Sequence, residues 1–150
     1  MLRNCLFIAL VFGLGCGKSS VPPATPHSEA DPQEEAITEA DFDFPENYSA
    51  AITQIKGYRG TIQAAVDQGQ PANAHRPLDE LDIVLDKLPA IAKASSIPIE
   101  QWETINLTAR DLRNLFNQVH AAIDEHRPPD FQAVAQPINE AIAKLEQVKP

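Results

Sequence analysis

From Glu46 onward, apolar residues recur three, four and seven positions apart. That spacing lines one face of an α-helix. In the first such segment the apolar positions are Tyr48, Ile52, Ile55, Ile62 and Val66. The segment is predicted to end near Gly69, a natural helix terminator that stands just before Pro71. Gly57 and Gly60 fall inside it, each at a cost of about 1 kcal/mol relative to alanine, and are expected to permit a close helix contact. A second segment carries Leu78, Leu81, Leu85, Leu88 and Ala92. Pro77 suits its first turn, and Pro89 is expected to bend or shorten it because it lacks a backbone donor. Ser95 and Ser96 mark a break, and Pro98 starts the next helix.

The third segment has the longest regular seam: Trp102, Ile105, Ala109, Leu112, Phe116, Val119 and Ile123. Steps of three and four alternate along it, as in a packed helix. Arg127-Pro128-Pro129 stops it, and Asp130 is a good N-cap for a fourth helix. Phe131, Val134, Ile138, Ala141, Leu145 and Val148 form the fourth seam, with a kink expected at Pro137. No segment shows sustained strand alternation. Short connections make neighbouring helices antiparallel, so the expected fold is all-α, an up-down-up-down four-helix bundle over residues 46–150.

The chain before the bundle has another character. Pro22, Pro23, Pro26, Pro32 and Pro45 alternate with Glu29, Asp31, Glu34, Glu35, Glu39, Asp41 and Asp43. Proline and like charge oppose a packed core, so residues 16–45 read as a disordered tether. At about 3.1 Å per residue it would reach roughly 90 Å when fully stretched.

At the start of the chain, Arg3 precedes an apolar run from Cys5 to Gly15, and Cys16 follows. A charged start, a short apolar stretch and small residues at its end mark an export signal, here residues 1–15. With cysteine at the cleavage point, the region resembles a bacterial lipoprotein signal. Gly13 departs from that family's pattern, which favours Leu, Val or Ile three residues before the cysteine. The resemblance implies that Cys16 becomes the first residue of the mature chain and carries lipid. It also implies a protein of the bacterial cell envelope, anchored in a membrane and facing the periplasm or the outside. The apolar run is about half the roughly 20 residues of a spanning helix. One acyl chain binds membranes only marginally, a need that the family's multiply acylated cysteine meets. At the level of architecture, the bundle resembles small periplasmic four-helix-bundle proteins.

Charge narrows the partners. Lys and Arg number 12 against 21 Asp and Glu, a net charge of −9. Loss of Arg3 with the signal gives −9 − 1 = −10. Such a surface repels phosphate backbones, which argues against nucleic acid and favours cations or basic partners. The two cysteines, Cys5 and Cys16, leave no disulfide pair once the signal is removed and the other thiol lipidated. A Cys-x-x-Cys-His motif is absent, which excludes covalent c-type haem, and a zinc-thiolate site is excluded likewise. Paired histidines would be the only possible haem ligands.

Candidate chemistry is sparse. His75, His120 and His126 gather at one pole of an up-down bundle, with Asp67 and Asp130 near them. Histidine with carboxylate suits zinc, copper, nickel or non-haem iron. A flank of helix two joins His75 to Asp79, Asp82 and Asp86, a second place for a divalent cation. Gly17-Lys18-Ser19 imitates the end of a phosphate-binding loop, but position 12 is Phe12 rather than glycine. No serine has a histidine and acid that the sequence places beside it, so no enzyme is expected. Ile83 and Leu107 lie off their seams and are candidates for contact with a protein partner. The sequence therefore reads as a non-catalytic, lipid-anchored bundle that binds a partner or acts as a spacer, with metal binding at the histidine pole as the alternative.

Overall fold

The computed structural model describes residues 42–149. The export signal, Cys16 and residues 17–41 of the tether lie outside the described residues. Four helices make up the fold: α1 (Tyr48–Asp67), α2 (His75–Ala94), α3 (Trp102–Asp124) and α4 (Phe131–Glu146). Short 3-10 turns at Pro71–Ala74 and Ile99–Gln101 lead into α2 and α3. Each helix packs on its neighbours in the chain, and α1 also packs on α4, which closes the ring.

Cross-helix pairs establish the directions. His75 lies beside His120, Asp82 beside Arg113, and Lys93 beside Trp102, so α2 and α3 run antiparallel in one register. The Tyr48 hydroxyl at the start of α1 donates to the Leu145 carbonyl near the end of α4, at 3.0 Å. The arrangement is the expected up-down-up-down bundle.

The seams predicted from periodicity are its core. Ile105, Ala109, Leu112, Phe116, Val119 and Ile123 of α3 are all buried, as are Leu78, Leu81, Leu85, Leu88 and Ala92 of α2. Fully burying one such large apolar side chain stabilises by about 1.5–3 kcal/mol relative to exposure. Small rotations alter the outer helices. Ala65 is buried where Val66 was expected, and Ile142 where Ala141 was expected; Val66 and Ala141 pack at the margin. Phe42 also packs against the core, with the Phe44 ring edge-on to it at 5.0 Å. The bundle's contacts thus begin within the segment assigned to the tether.

Helix ends follow local chemistry. The Asn47 and Asp130 side chains accept hydrogen bonds from the backbone N–H groups of Ala50 and Ala133, at 3.0 and 3.1 Å. Both thus satisfy donors that a first turn leaves open. The first three helices end alike, each with one residue in the left-handed region: Gly69 (φ 69°), Ser96 (φ 60°) and His126 (φ 55°). The next residue's N–H then reaches back five positions, as in Ile97 to the Ala92 carbonyl at 3.1 Å and Arg127 to the Ala122 carbonyl at 2.8 Å. This is the Schellman closure, which satisfies the last carbonyls.

Two expectations about helix interiors need correction. Gly57 and Gly60 are exposed, and a Cβ built on either would meet nothing within 4 Å, so they mediate no close helix contact. Pro89 does not shorten α2, which continues to Ala94. Leu85, Leu88 and Ala92 are buried on both sides of it, and their burial outweighs the one lost hydrogen bond.

Candidate functional site

The bundle has two poles. The starts of α1 and α3 share one with the ends of α2 and α4; the ends of α1 and α3 share the other with the starts of α2 and α4. At the second pole, His75 is the first residue of α2, and His120 and Asp124 lie on the last turns of α3. The α2–α3 register brings these three side chains together. His75 Nε2 stands 3.7 Å from Asp124 Oδ1, and His120 Nε2 stands 3.6 Å from the same oxygen. The two imidazoles are edge-on, 5.3 Å apart with 71° between planes. One donor atom from each residue lies within 4.8 Å of the other two. The imidazoles are about three-quarters buried, and the carboxylate is 56% exposed, so the cluster opens to solvent on the aspartate side.

The spacing is informative. Hydrogen bonds between nitrogen and oxygen fall near 2.7–3.2 Å, so these His–Asp separations are not hydrogen bonds. Two imidazoles and a carboxylate converge without closing on one another. Their positions are set by rigid elements: two ligand atoms come from one helix at positions four apart, the third from the facing helix.

Asp124 was missed by sequence reasoning. Its signal was its place four residues after His120, which puts both on one face of α3. His126 is the opposite case. Expected as a third histidine of the cluster, it is instead the left-handed residue that ends α3. Its exposed ring turns back on the helix end, with Nδ1 2.9 Å from the Asp124 carbonyl. Asp130 is taken up as the N-cap of α4.

The acidic flank of α2 is also not an open cation site. Arg113 of α3 reaches across and donates to Asp82 twice, Nε to Oδ1 at 2.6 Å and Nη2 to Oδ2 at 2.7 Å. It donates to Asp86 as well, at 3.4 Å. The hydrogen bonding to Asp82, with the nearby negative charges of Asp82 and Asp86, pushes the guanidinium pKa up against the opposing effect of partial burial. Arg113 thereby occupies Asp82 and offsets one of the two negative charges, and Lys87 Nζ stands 3.8 Å from Asp86 Oδ2.

The polar groups of the first pole serve the fold. The Ser95 hydroxyl accepts from Tyr48 N–H at 2.8 Å and donates to the Ile91 carbonyl at 2.8 Å. A groove of about 490 Å³ between α1 and α4 is lined there by Tyr48, Ile52, Lys56, Leu145 and Val148. An apolar hollow of about 250 Å³ lies between α2 and α3, walled by Pro89, Trp102 and Ile105.

Of the two residues expected to meet a protein partner, Leu107 is 41% exposed and Ile83 is half-buried. The most exposed large apolar side chain among the described residues is Ile99, at 66%. Periodicity did not single it out, because it sits in the 3-10 turn before α3. Among the described residues, no helix is long and apolar enough to cross a membrane. No protein-family model, curated protein or solved structure matches this chain.

Proposed function

We propose that this chain is a non-catalytic, lipid-anchored protein of the bacterial cell envelope that presents a helical bundle to a partner or spaces it from a membrane. The observation that carries this reading is Cys16, placed directly after a charged start and a short apolar run. The fold is compatible with it in a specific way. Helix α1 begins at Tyr48 and has 20 residues, with the histidine pole at its far end. At about 1.5 Å per residue, that pole stands roughly 30 Å from the start of α1. In this reading the proline-rich, acidic sequence before the bundle is the tether that gives it reach from the membrane. The strong negative charge favours a basic or cationic partner. Ile99 and Leu107, exposed at the start of α3, supply apolar contact area at the near pole.

The experiment is replacement of the anchor. Cys16→Ser should shift the protein from the membrane fraction to the soluble fraction and abolish incorporation of a fatty-acid probe. Retention in the membrane with undiminished labelling would refute the anchored reading.

A further inference from the structure

The geometry points to a divalent transition-metal site at the histidine pole, formed by His75 Nε2, His120 Nε2 and Asp124 Oδ1, with zinc as the best-matched ion. This assignment does not depend on the lipid anchor.

The donor set comes first. Two neutral imidazoles and one carboxylate suit zinc and its neighbours, not calcium or magnesium, which take oxygen ligands. Spacing comes second. Metal–ligand bonds of about 2.0–2.1 Å in a tetrahedral site put the ligand atoms about 3.4 Å apart. The two His–Asp separations here are 3.7 and 3.6 Å. Contraction by a few tenths of an ångström would bring both His–Asp pairs to that spacing, and the two imidazole donors, which lie within 4.8 Å of one another, would close by up to about 1.4 Å through side-chain rotation. Support comes third. His120 and Asp124 are fixed at a four-residue interval on α3, and His75 sits on the first residue of α2 across a continuous core. Leu78, Val119 and Ile123, all buried, hold the two helix ends in that register.

Nearby charges permit a cation. Arg76 is engaged by Glu80 at 2.9 Å and Arg127 by Glu125 at 2.6 Å. The carbonyl end of α3 adds partial negative charge beside Asp124. Three protein ligands leave a fourth position, and the aspartate side is the solvent-exposed one, so water or an external donor completes the coordination. The ion would clamp the start of α2 to the end of α3. His126, turned onto the end of its own helix, takes no part.

The test uses the full chain, stripped with a chelator and titrated with zinc at pH 7.5. One-to-one binding in calorimetry and a saturable rise in melting temperature are expected, because an ion that binds only the folded state stabilises it. Cobalt should give the visible absorption band of a four-coordinate nitrogen–oxygen site. His75→Ala with His120→Ala should abolish the thermal shift and the cobalt band. Asp124→Asn should weaken zinc by about tenfold or more. His126→Ala should leave both signals unchanged. Circular dichroism without metal checks that each variant folds. The assignment is overturned if zinc and cobalt fail to bind the parent chain. It is equally overturned if the double histidine variant, folded, binds as tightly as the parent. Loss of binding in His126→Ala would overturn the ligand set.

Discussion

The two poles of the bundle use polar side chains in opposite ways. At the pole where α1 begins, polar groups are consumed by the fold. The buried Tyr48 hydroxyl donates to the Leu145 carbonyl, Tyr48 N–H donates to Ser95 Oγ, and the Trp102 ring N–H donates to the Ile97 carbonyl at 2.9 Å. Burying such groups is tolerable only because each has a partner at hydrogen-bond distance. At the other pole, His75, His120 and Asp124 converge at separations too long for hydrogen bonds, and the carboxylate faces water. The difference separates polar groups that the fold consumes from those on which the proposed metal site rests. Hydrogen-bonded contacts at the first pole stabilise the fold. At the second pole, rigid elements hold three donor atoms at separations nearer to those of metal ligands than to those of hydrogen bonds.

The largest effect tests the core on which both poles rest. Leu112→Ala and Phe116→Ala should each destabilise by about 2–5 kcal/mol, since both side chains are buried in the α3 seam. Glu103→Ala, on the exposed face of α3, should change stability by less than about 0.5 kcal/mol. Urea denaturation measures all three, and equal small effects would break the α2–α3 register that brings the histidines together.

Tyr48 sharpens the contrast. Removing its hydroxyl deletes one donor to the Leu145 carbonyl, which still accepts from the Val148 N–H at 3.1 Å, so Tyr48→Phe should cost about 0.5–1.5 kcal/mol at neutral pH. Burial also pushes the Tyr48 pKa up to about 12, from an ordinary value of 10.0. The folded state then holds this proton more tightly than the unfolded state does. The associated stability is fully present below pH 10 and is lost as pH rises toward 12, by roughly 2–3 kcal/mol in all. Tyr48→Phe should remove most of that alkaline loss in pH-dependent melting, leaving a smaller remnant from Tyr58, whose pKa is also raised by burial. An unchanged alkaline profile would show that Tyr48 does not seal its pole.

Two matched substitutions compare the poles directly. Ser96 and His126 both hold left-handed backbone, one at each pole. That conformation costs about 1–2 kcal/mol in a residue with a Cβ, partly offset in glycine by greater freedom when unfolded. Ser96→Gly and His126→Gly should therefore each stabilise by about 0.5–1 kcal/mol in thermal or urea unfolding. Destabilisation by His126→Gly would mean that its ring does more than cap α3. The cluster's own structural contribution is of the same order. With chelator present, His75→Ala and His120→Ala should each destabilise by about 0.5–1.5 kcal/mol through loss of the edge-on ring contact, well below Leu112→Ala.

The helices and most of their buried faces were legible in the sequence. A 3.6-residue period is a local property, so Leu112, Phe116 or Leu85 declares its face without reference to any other helix. Caps are equally local, and Asp130 was readable as one from its place before Phe131. Even the gathering of histidines at one pole followed from short connections alone. What only the tertiary structure decided is which side chains meet across helices. The rotation of α2 against α3 pairs Arg113 with Asp82 and Asp86, which closes the acidic flank, and brings Asp124 to His75. A left-handed turn at the end of α3 folds the His126 ring back onto the Asp124 carbonyl instead of into the cluster with His75 and His120. These outcomes depend on axial rotation and on single backbone dihedrals, and hydrophobic periodicity constrains neither closely enough to place a ligand atom to within an ångström.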